Sequence, residues 1–492
     1  MNRRAFLTTA GAGALATGFG ISPAAWAQTT PRALPVLPLT DLTGGIEDRI
    51  ALNLQTGIHD FGTGSASQTL GINHGYLGPV LRVKQGQTLP FDVANSIGDT
   101  STIHWHGLHI PGDVDGGPHQ QIAHGGLWSP DVPIVQQASM NWFHSHMHGK
   151  TARQTYEGLA GVLLVEDDAS LAADLPKTYG VDDFTLILQD KMFDQAGQMT
   201  YALSAQVFED GFEADTLVVN GAIAPVAQSV PTGLVRLRIL NACNARFLGL
   251  SMETGPVTVI ASDGGFLPSP VEADSILMSP GERYEVVVDM GAHETNAINV
   301  NLNGNGGGFF ADLFGGNQTQ PALMLTRRTE QGFTGSMPTK LANLEPPRPS
   351  DAKRTRSFEL QMDVGADLVA LALAWENFCG NAGAMAINGQ PMNMDRIDEE
   401  VRKGETEIWR IAVDDMLHPF HIHGCSFRIL TQNGAAPPAY AAGWKDMVHV
   451  EEGWSEVLVR FDHEARADAP YMYHCHILEH EDCGMMGQFT VG

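Results

Sequence analysis

Short apolar runs alternate with turn residues along most of this chain. Each run is four to six residues long and rich in β-branched and aliphatic side chains, which predicts strands rather than helices. The predicted strands include Val80–Val83, Gly161–Val165, Phe184–Leu188, Val235–Leu240, Tyr284–Val288, Glu407–Ile411 and Glu456–Phe461. Many short strands separated by frequent turns are typical of β-sandwiches, so we predict an all-β protein.

The strands fall into three segments of similar texture. We place these segments at residues 35–168, 180–328 and 355–492, and we place a Pro-rich linker around Glu345–Ser350. A length of 492 residues is sufficient for three or four domains, and 54 glycines and 27 prolines suit a protein with many turns. The pattern therefore predicts β-sandwiches in tandem.

Residues 1–27 have the features of an export signal. Arg3 and Arg4 open a twin-arginine motif, an apolar stretch follows, and Ala25–Ala27 fits a small-x-small cleavage site. We expect export by the twin-arginine machinery, a mature chain that begins near Gln28, and a periplasmic location. The alternative is an uncleaved anchor, but the stretch is short and broken by Gly and Pro. No later stretch is long enough to predict a membrane span.

The formal net charge of −27 narrows the choice of partners. Such a chain repels nucleic acid and anionic membrane surfaces, so neither is an expected partner. The charge favours cationic substrates, metal ions included, although plain solubility is the simpler explanation.

Ten of the nineteen histidines lie in four short clusters, two towards each end of the chain. The clusters are His104–His106, His144–His146, His418–His423 and His474–His480, and Met485 follows the last. Strand side chains alternate between two faces, so an H-x-H unit places both rings on one face. Imidazoles combined with the Cys475 thiolate and a thioether form the ligand set of copper.

The order and spacing of these clusters resemble the multicopper oxidases over nearly the whole chain. The resemblance is closest to the bacterial periplasmic cuprous oxidases (copper-efflux oxidases) and bacterial laccases. It implies three tandem cupredoxin-like Greek-key β-sandwich domains, with ligands in the first and third and a second domain that acts as a spacer. An isolated H-x-H is more often an ordinary histidine pair, but four such clusters in this order are not.

The resemblance also assigns four copper ions. Two imidazoles, a thiolate and a weak axial thioether make a type 1 site, here His418, Cys475, His480 and Met485. His104 and His421 match the type 2 ligands. The ligands of the type 3 pair correspond to His106, His144, His146, His423, His474 and His476.

The family reduces O2 to water, which consumes protons as well as electrons. Asp115 and Glu481 match positions that relay protons to the copper cluster. The alternatives are a turn residue before Gly116 for Asp115 and a solvated charge for Glu481.

The reductant is less well defined by the sequence. Met362, Asp367, Asp414 and Met416 match an additional substrate copper site of the cuprous oxidases, although core packing and helix capping are alternatives. The Met- and His-rich segment of those relatives is missing. The corresponding residues 368–387 contain one methionine and no histidine, with a predicted helix at Leu368–Ala374.

Three functions follow from these observations. The first is an oxidase of Cu(I) and/or phenolic substrates with a role in copper tolerance. The second is a laccase acting mainly on phenols and aromatic amines. The third is a non-catalytic exported scaffold, like relatives that have lost their copper ligands, which the intact ligand set disfavours.

Four cysteines remain after Cys475 is assigned to copper. They are Cys243, Cys379, Cys425 and Cys483, which allow three full pairings in an oxidising compartment. A Cys425–Cys483 bridge is one alternative, because each of these residues lies next to a ligand cluster.

Overall fold

The computed structural model describes residues 31–302, 319–362, 385–413, 416–451 and 453–492. The predicted signal, Asp367, Asp414, Cys379 and the predicted helix Leu368–Ala374 lie outside these residues. The described part is mostly β and contains six sheets, which confirms the predicted all-β class. No helix in the described ranges is long and apolar enough to cross a membrane.

The first sandwich packs two five-stranded sheets around one core. In spatial order, one sheet consists of Leu39–Asp41, Val80–Lys84, Ala160–Glu166, Ser139–His144 and His104–His106. The other consists of Ser67–Ile72, Ile50–His59, Thr88–Asn95 and Leu127–Trp128, with Asp131–Pro133 also paired to Thr88–Asn95. Burial alternates along Thr88–Asn95, because one face of this strand meets the core and the other meets solvent. Ser139–His144 is buried on both faces.

The second sandwich is larger. Its first sheet consists of Arg32–Ala33, Val226–Thr232, Thr319–Gln331, Thr295–Asn301, Leu248–Met252 and Ser275–Met278. Its second consists of Ala222–Ile223, Thr216–Val219, Asp183–Phe193, Leu234–Asn241, Arg283–Asp289, Val257–Ser262 and Gly265–Ala273, with Met199–Thr200 paired to Asp183–Phe193. Aliphatic side chains from both sheets form one buried core.

The third sandwich again has two five-stranded sheets. One consists of Met385–Ile387, Arg354–Met362, Thr406–Val413, Gly453–Arg460 and Phe427–Thr431. The other consists of Glu399–Val401, Met486–Val491, Tyr471–Cys475, His418–Ile422 and Met447–Val450. Trp409, Phe420 and Phe489 lie in the core between them.

Helices in the described residues are short. The α-helices are Thr151–Glu157, Asp168–Ala172, Ala205–Asp210 and Leu478–Asp482. The 3₁₀ turns are Gly112–Val114, Pro349–Asp351 and Ala439–Ala441.

The seven strands predicted from apolar runs all occur in the structure. Six are extended by one to six residues; for example, Phe184–Leu188 lies in the first half of Asp183–Phe193. The seventh, Glu456–Phe461, begins earlier and ends one residue sooner, as Gly453–Arg460. The apolar runs thus identified the buried parts of the strands.

The proposed Cys425–Cys483 bridge is wrong. Cys425 is a free, buried thiol, whereas Cys483 is disulfide-bonded. Cys425 follows His423 and Cys483 follows His480, and these two histidines belong to different groups of rings. Proximity to a ligand cluster therefore did not bring the two thiols together.

A buried lysine lies where the first sandwich meets the second. Lys191 has no exposed surface. Its ammonium donates to the Tyr156 carbonyl and lies 3.9 Å from the centroid of the Tyr156 ring. Burial lowers the pKa of Lys191 to about 7, since the charged form loses its hydration.

We expect the stability cost of Lys191 to depend on pH. Between pH 7 and 10.5 the unfolded chain holds a proton on this residue that the folded chain has released, so its contribution to stability rises with pH, by up to about 1.4 kcal/mol per pH unit. A Lys191→Met variant should therefore gain thermal stability over wild type at pH 7.5 and lose most of that advantage at pH 9.5. The measurement is the unfolding temperature of both proteins across this range.

The exposed Lys353 provides the control. A Lys353→Met variant should show a difference from wild type that stays constant over the same pH range. A constant difference for Lys191→Met as well would contradict the prediction.

Candidate metal centre

Each histidine cluster includes residues of a core strand, and the clusters meet in pairs. In the first sandwich, His104 is the direct cross-strand partner of His144. In the third, His421 is the partner of His474 and Phe420 is the partner of Cys475. Strand pairing thus brings together clusters that are far apart in sequence.

Eight of the ten clustered histidines converge between the first and third sandwiches. Each group that could hold a metal has its ligand atoms within 4.8 Å of one another. The groups are His104, His421 and His423; His106, His144 and His476; and His146, His423 and His474. All eight rings are buried.

Five of these rings donate their Nδ1 proton away from the centre. Four of them donate to main-chain carbonyl oxygens: His104 to Asp115, His144 to Ser145, His421 to Asp446 and His474 to Cys475. The fifth, His423, donates to the Asp115 carboxylate. The five distances are 2.8–3.0 Å. A neutral ring that donates through Nδ1 keeps a lone pair on Nε2. The lone pairs of these five rings therefore face one another.

Burial favours the neutral form of seven of these rings. It lowers the pKa of His474 to about 3, because the charged form loses hydration. Burial, reinforced by repulsion between neighbouring rings, also holds several of the other pKa values well below their usual range. These are the pKa values of His106, His144, His146, His421, His423 and His476.

The spacing of the ring nitrogens suits a metal ion. The Nε2 atoms of His146, His423 and His474 lie 3.2 Å from one another. Metal–imidazole bonds of about 2.0–2.1 Å place three ligand nitrogens about 3.3 Å apart in a tetrahedral arrangement. Lone pairs at this distance repel one another unless a cation lies between them.

Further ring nitrogens are buried without a hydrogen-bond partner among the described residues. They are Nε2 of His104, His144 and His421, Nδ1 of His106 and His146, and both nitrogens of His476. Buried polar atoms are normally satisfied, so this concentration of unsatisfied nitrogens indicates a metal-binding site. The residues present fit a cluster of imidazole-bound ions.

A second group of ligand atoms surrounds Cys475. Its Sγ lies 3.4 Å from Nδ1 of His418 and 3.8 Å from Nδ1 of His480, and it accepts a hydrogen bond from the Ile477 amide. Met485 is fully buried and accepts, through its carbonyl, the amide hydrogen of Cys475. A thiolate with two imidazoles and a nearby thioether suits copper.

The two centres share one stretch of chain. His474 and His476 belong to the histidine cluster, and Cys475 between them belongs to the second group. Because side chains alternate along a strand, Cys475 points away from its two neighbours. Only a few covalent bonds therefore separate the two centres.

Comparison with known proteins agrees with this arrangement. Sequence profiles described as multicopper oxidase match residues 53–170, 170–310 and 366–492. The Yersinia pestis protein named cell division protein FtsP is 36% identical over 100% of this chain and 98% of its own length.

The chain belongs to the multicopper oxidase family.

Solved structures of multicopper oxidases confirm the fold of three cupredoxin-like domains. One is described as the laccase-like multicopper oxidase CueO from Ochrobactrum sp., with oxidase activity towards lignin model compounds and lignosulfonate. It is 41% identical, with a TM-score of 0.85, and the match covers 93% of this chain and 100% of that one. The multicopper oxidase McoA from Aquifex aeolicus is 28% identical, with a TM-score of 0.80, over 94% of this chain and 100% of McoA.

Asp115 of this multicopper oxidase contacts two cluster histidines. Its Oδ2 accepts a hydrogen bond from His423 at 2.8 Å and lies 3.3 Å from Nδ1 of His104. Its other oxygen, Oδ1, is buried without a partner among the described residues. Asp115 also ends the 3₁₀ turn Gly112–Val114, so it is both a turn residue and a contact of the cluster.

Glu481 contacts two cluster histidines that Asp115 does not contact. Its two carboxyl oxygens lie 3.2 Å from Nδ1 of His146 and of His474. Burial, followed by repulsion from Asp482, holds the pKa of Glu481 well above its usual range. Burial also raises the pKa of Asp482 to about 7. Glu481 is therefore a buried acid against two rings, not a solvated charge.

Three residues beside the cluster were missed by the sequence analysis. Trp142 stacks on the His144 ring with centroids 4.0 Å apart. Asp446 lies 3.2 Å from His106 Nε2, and Arg283 forms a buried ion pair with Asp446. The one sequence feature that could have pointed to Asp446 was the charged pair Lys445–Asp446 directly before an apolar strand.

Two of the four substrate-copper candidates lie in the described residues. Met362 and Met416 are half-buried and pack against the core cluster that contains Cys475 and Met485. His480 is covered on its outer side, where its Nε2 lies 3.1 Å from the Glu209 carbonyl.

Proposed function

We propose that this multicopper oxidase couples four one-electron oxidations of a small reductant to the four-electron reduction of O2 to water. The observation that carries the proposal is the convergence of eight buried histidine rings beside a separate Cys475 group. Such a set of unsatisfied nitrogens is costly to bury unless metal ions bind to it.

The donor atoms fit four copper ions. His418, Cys475, His480 and Met485 would hold the type 1 ion. His104 and His421 would hold the type 2 ion. The six remaining rings would hold the type 3 pair, as the groups His106, His144, His476 and His146, His423, His474. Bound copper would supply single-electron acceptance at the Cys475 site and O2 reduction at the histidine cluster.

The chain contributes a short connection and two acids. The His474–Cys475–His476 segment joins the two centres through its backbone. Asp115 and Glu481 contact different rings of the histidine cluster. Each is placed to hold a proton for transfer to reduced oxygen.

The reductant we propose is Cu(I) and/or a phenol. Half-buried thioethers at Met362 and Met416, beside the Cys475 core, favour Cu(I). Asp367 and Asp414 are the other two candidates for this substrate site. The short segment 368–387 and the laccase-like Ochrobactrum relative favour phenols. A role mainly as a laccase, with no part in copper tolerance, is the alternative.

A non-catalytic scaffold is the second candidate. Curated relatives from several bacteria, at 33–36% identity, are named cell division protein FtsP. The ligand set of this chain favours catalysis over a purely structural role. We further propose twin-arginine export to the periplasm on the basis of Arg3, Arg4 and Ala25–Ala27.

Copper analysis distinguishes the oxidase from the scaffold. We expect four copper ions per copper-loaded chain and strong blue absorbance. A Cys475→Ser variant should keep three ions and lose the blue colour, because the thiolate is removed from only one centre. The matched control is Cys243→Ser, which changes a buried free thiol elsewhere and should leave both readouts intact. A wild-type chain that takes up no copper would support the scaffold.

Removal of the Glu481 acid should slow O2 reduction. A Glu481→Gln variant should lower kcat by about 10²-fold, the lower end of the range for a lost proton-transfer group, with copper content and blue absorbance unchanged. The measurement is O2 uptake at saturating reductant. Glu479→Gln is the control, because Glu479 lies on the same short helix but accepts hydrogen bonds from Tyr201 and Asn244 instead. Equal kcat values for the Glu481→Gln and Glu479→Gln variants would show that Glu481 has no role in proton transfer.

The reductant is tested by O2 uptake with Cu(I) and with 2,6-dimethoxyphenol, each with and without added Cu(II). For a cuprous oxidase we expect fast Cu(I) turnover and phenol oxidation that depends on added Cu(II). Replacing both Met362 and Met416 with Leu should then lower kcat/KM for Cu(I), whereas the surface control Met324→Leu should not. Fast phenol oxidation without added copper, with slow Cu(I) turnover, would identify a laccase.

A further inference from the structure

One aspartate, Asp446, contacts histidines from both halves of the cluster. Asp446 has no exposed surface. Its Oδ1 lies 3.2 Å from Nε2 of His106 in the first sandwich. Its main-chain carbonyl accepts the Nδ1 hydrogen of His421 in the third sandwich at 2.8 Å. The two rings stack with centroids 3.7 Å apart, so Asp446 orients both members of a stacked pair.

The His106 ring is oriented differently from most of its neighbours. Five cluster rings donate through Nδ1 and present Nε2 to the centre. His106 has its Nε2 against Asp446, and its Nδ1 is buried without a partner among the described residues. If Nε2 carries the proton, the lone pair lies on Nδ1. His106 then presents Nδ1 to the group that it forms with His144 and His476.

The contact with Arg283 indicates whether Asp446 binds a metal ion or only orients a ligand. The two terminal nitrogens of Arg283 each lie 2.6 Å from a different oxygen of Asp446. The donor atoms of Asp446, His106 and His421 are close enough to hold a metal together. However, a bidentate guanidinium already neutralises this carboxylate and would repel a cation there. Asp446 is therefore suited to orient a ligand, not to be one.

The guanidinium is itself fixed by the surrounding backbone. Arg283 donates from Nε to the Met140 carbonyl at 2.9 Å and from a terminal nitrogen to the Gly281 carbonyl at 3.1 Å. Gly107, directly after His106, lies over the ion pair with φ +91°. A Cβ on Gly107 would come within 2.7 Å of Arg283 and 2.8 Å of Asp446. The glycine thus provides the space in which the pair contacts His106.

We propose that Asp446, held by Arg283, is a positioning residue that keeps the His106 proton on Nε2 and so selects Nδ1 as the metal-facing nitrogen. This inference deepens the proposed function and rests on it for the identity of the metal. Arg283 belongs to the second sandwich, which supplies no ligand cluster. That domain therefore acts on the metal centre through Asp446, in addition to any role as a spacer.

The first arm of the test needs no copper. In the apo-protein labelled with 15N-histidine, the ring nitrogen shifts of His106 are assigned by their loss in a His106→Gln variant. We expect the wild-type ring to carry its proton on Nε2. In an Arg283→Met/Asp446→Leu double variant, this preference should be lost. Removing both charges avoids a buried unpaired ion, so the double variant should fold.

The second arm measures copper retention. After loading with Cu(II), each protein is dialysed against increasing chelator, and copper per chain and blue absorbance are followed. The double variant should bind the histidine-cluster copper about 10–100-fold more weakly, as expected when a ligand loses its orienting partner. The blue absorbance should remain. An Asp446→Glu variant should recover part of the affinity.

The matched control is a second buried ion pair that touches no cluster histidine. Arg238 and Asp183 form a bidentate pair at 2.8 and 2.9 Å with both side chains buried. An Arg238→Met/Asp183→Leu variant should change thermal stability without changing copper affinity.

The two arms of the test distinguish a failure of this inference from a failure of the proposed function. A wild-type His106 that carries its proton on Nδ1 would overturn the inference, whether or not copper binds. Cluster copper held as tightly by the Arg283→Met/Asp446→Leu variant as by wild type would also overturn it. A wild-type protein that binds no copper would refute the proposed function, and the nitrogen shifts would still decide the role of Asp446.

Discussion

The structure depends on the cost of burying eight imidazoles close together, five of which present Nε2 lone pairs to the centre. Nitrogen atoms 3.2 Å apart, such as those of His146, His423 and His474, are tolerated only with a cation between them or with a rigid surrounding that holds them apart. The surrounding here is a set of β-sandwiches. Each ring lies in, or within two residues of, a strand that is paired in a sheet, so the positions of the rings follow from strand pairing.

Outward hydrogen bonds complete this constraint. Main-chain carbonyls and the carboxylates of Asp115 and Asp446 receive the ring protons that point away from the centre. A ring with one proton fixed in this way has its lone pair fixed as well. The protein therefore builds a metal site by placing acceptors outside it. The second sandwich takes part, because Arg283 holds one of those acceptors.

The Cys475 loop shows how one short sequence serves two centres. Strand alternation sends His474 and His476 to the histidine cluster and Cys475 to the other face. The helix Leu478–Asp482 then returns the chain so that His480 comes within 3.8 Å of the sulfur. Carboxylates fill the spaces between, with Glu481 against the cluster and Glu479 joined to Tyr201 and Asn244 of the second sandwich.

The sequence by itself determined the all-β class, the central parts of the strands and the grouping of the histidines. These depend on periodicity and on short-range spacing, which a single chain displays directly. The tertiary structure alone decided which ring nitrogen faces the centre, the contacts of Asp446 and Arg283, and the pairing state of Cys425. Residues 283 and 446 lie far apart in sequence, and each looks like an ordinary charge until folding removes both from water. The role of a buried charged residue depends on its partner, and the packing of one domain against another determines which residue that partner is.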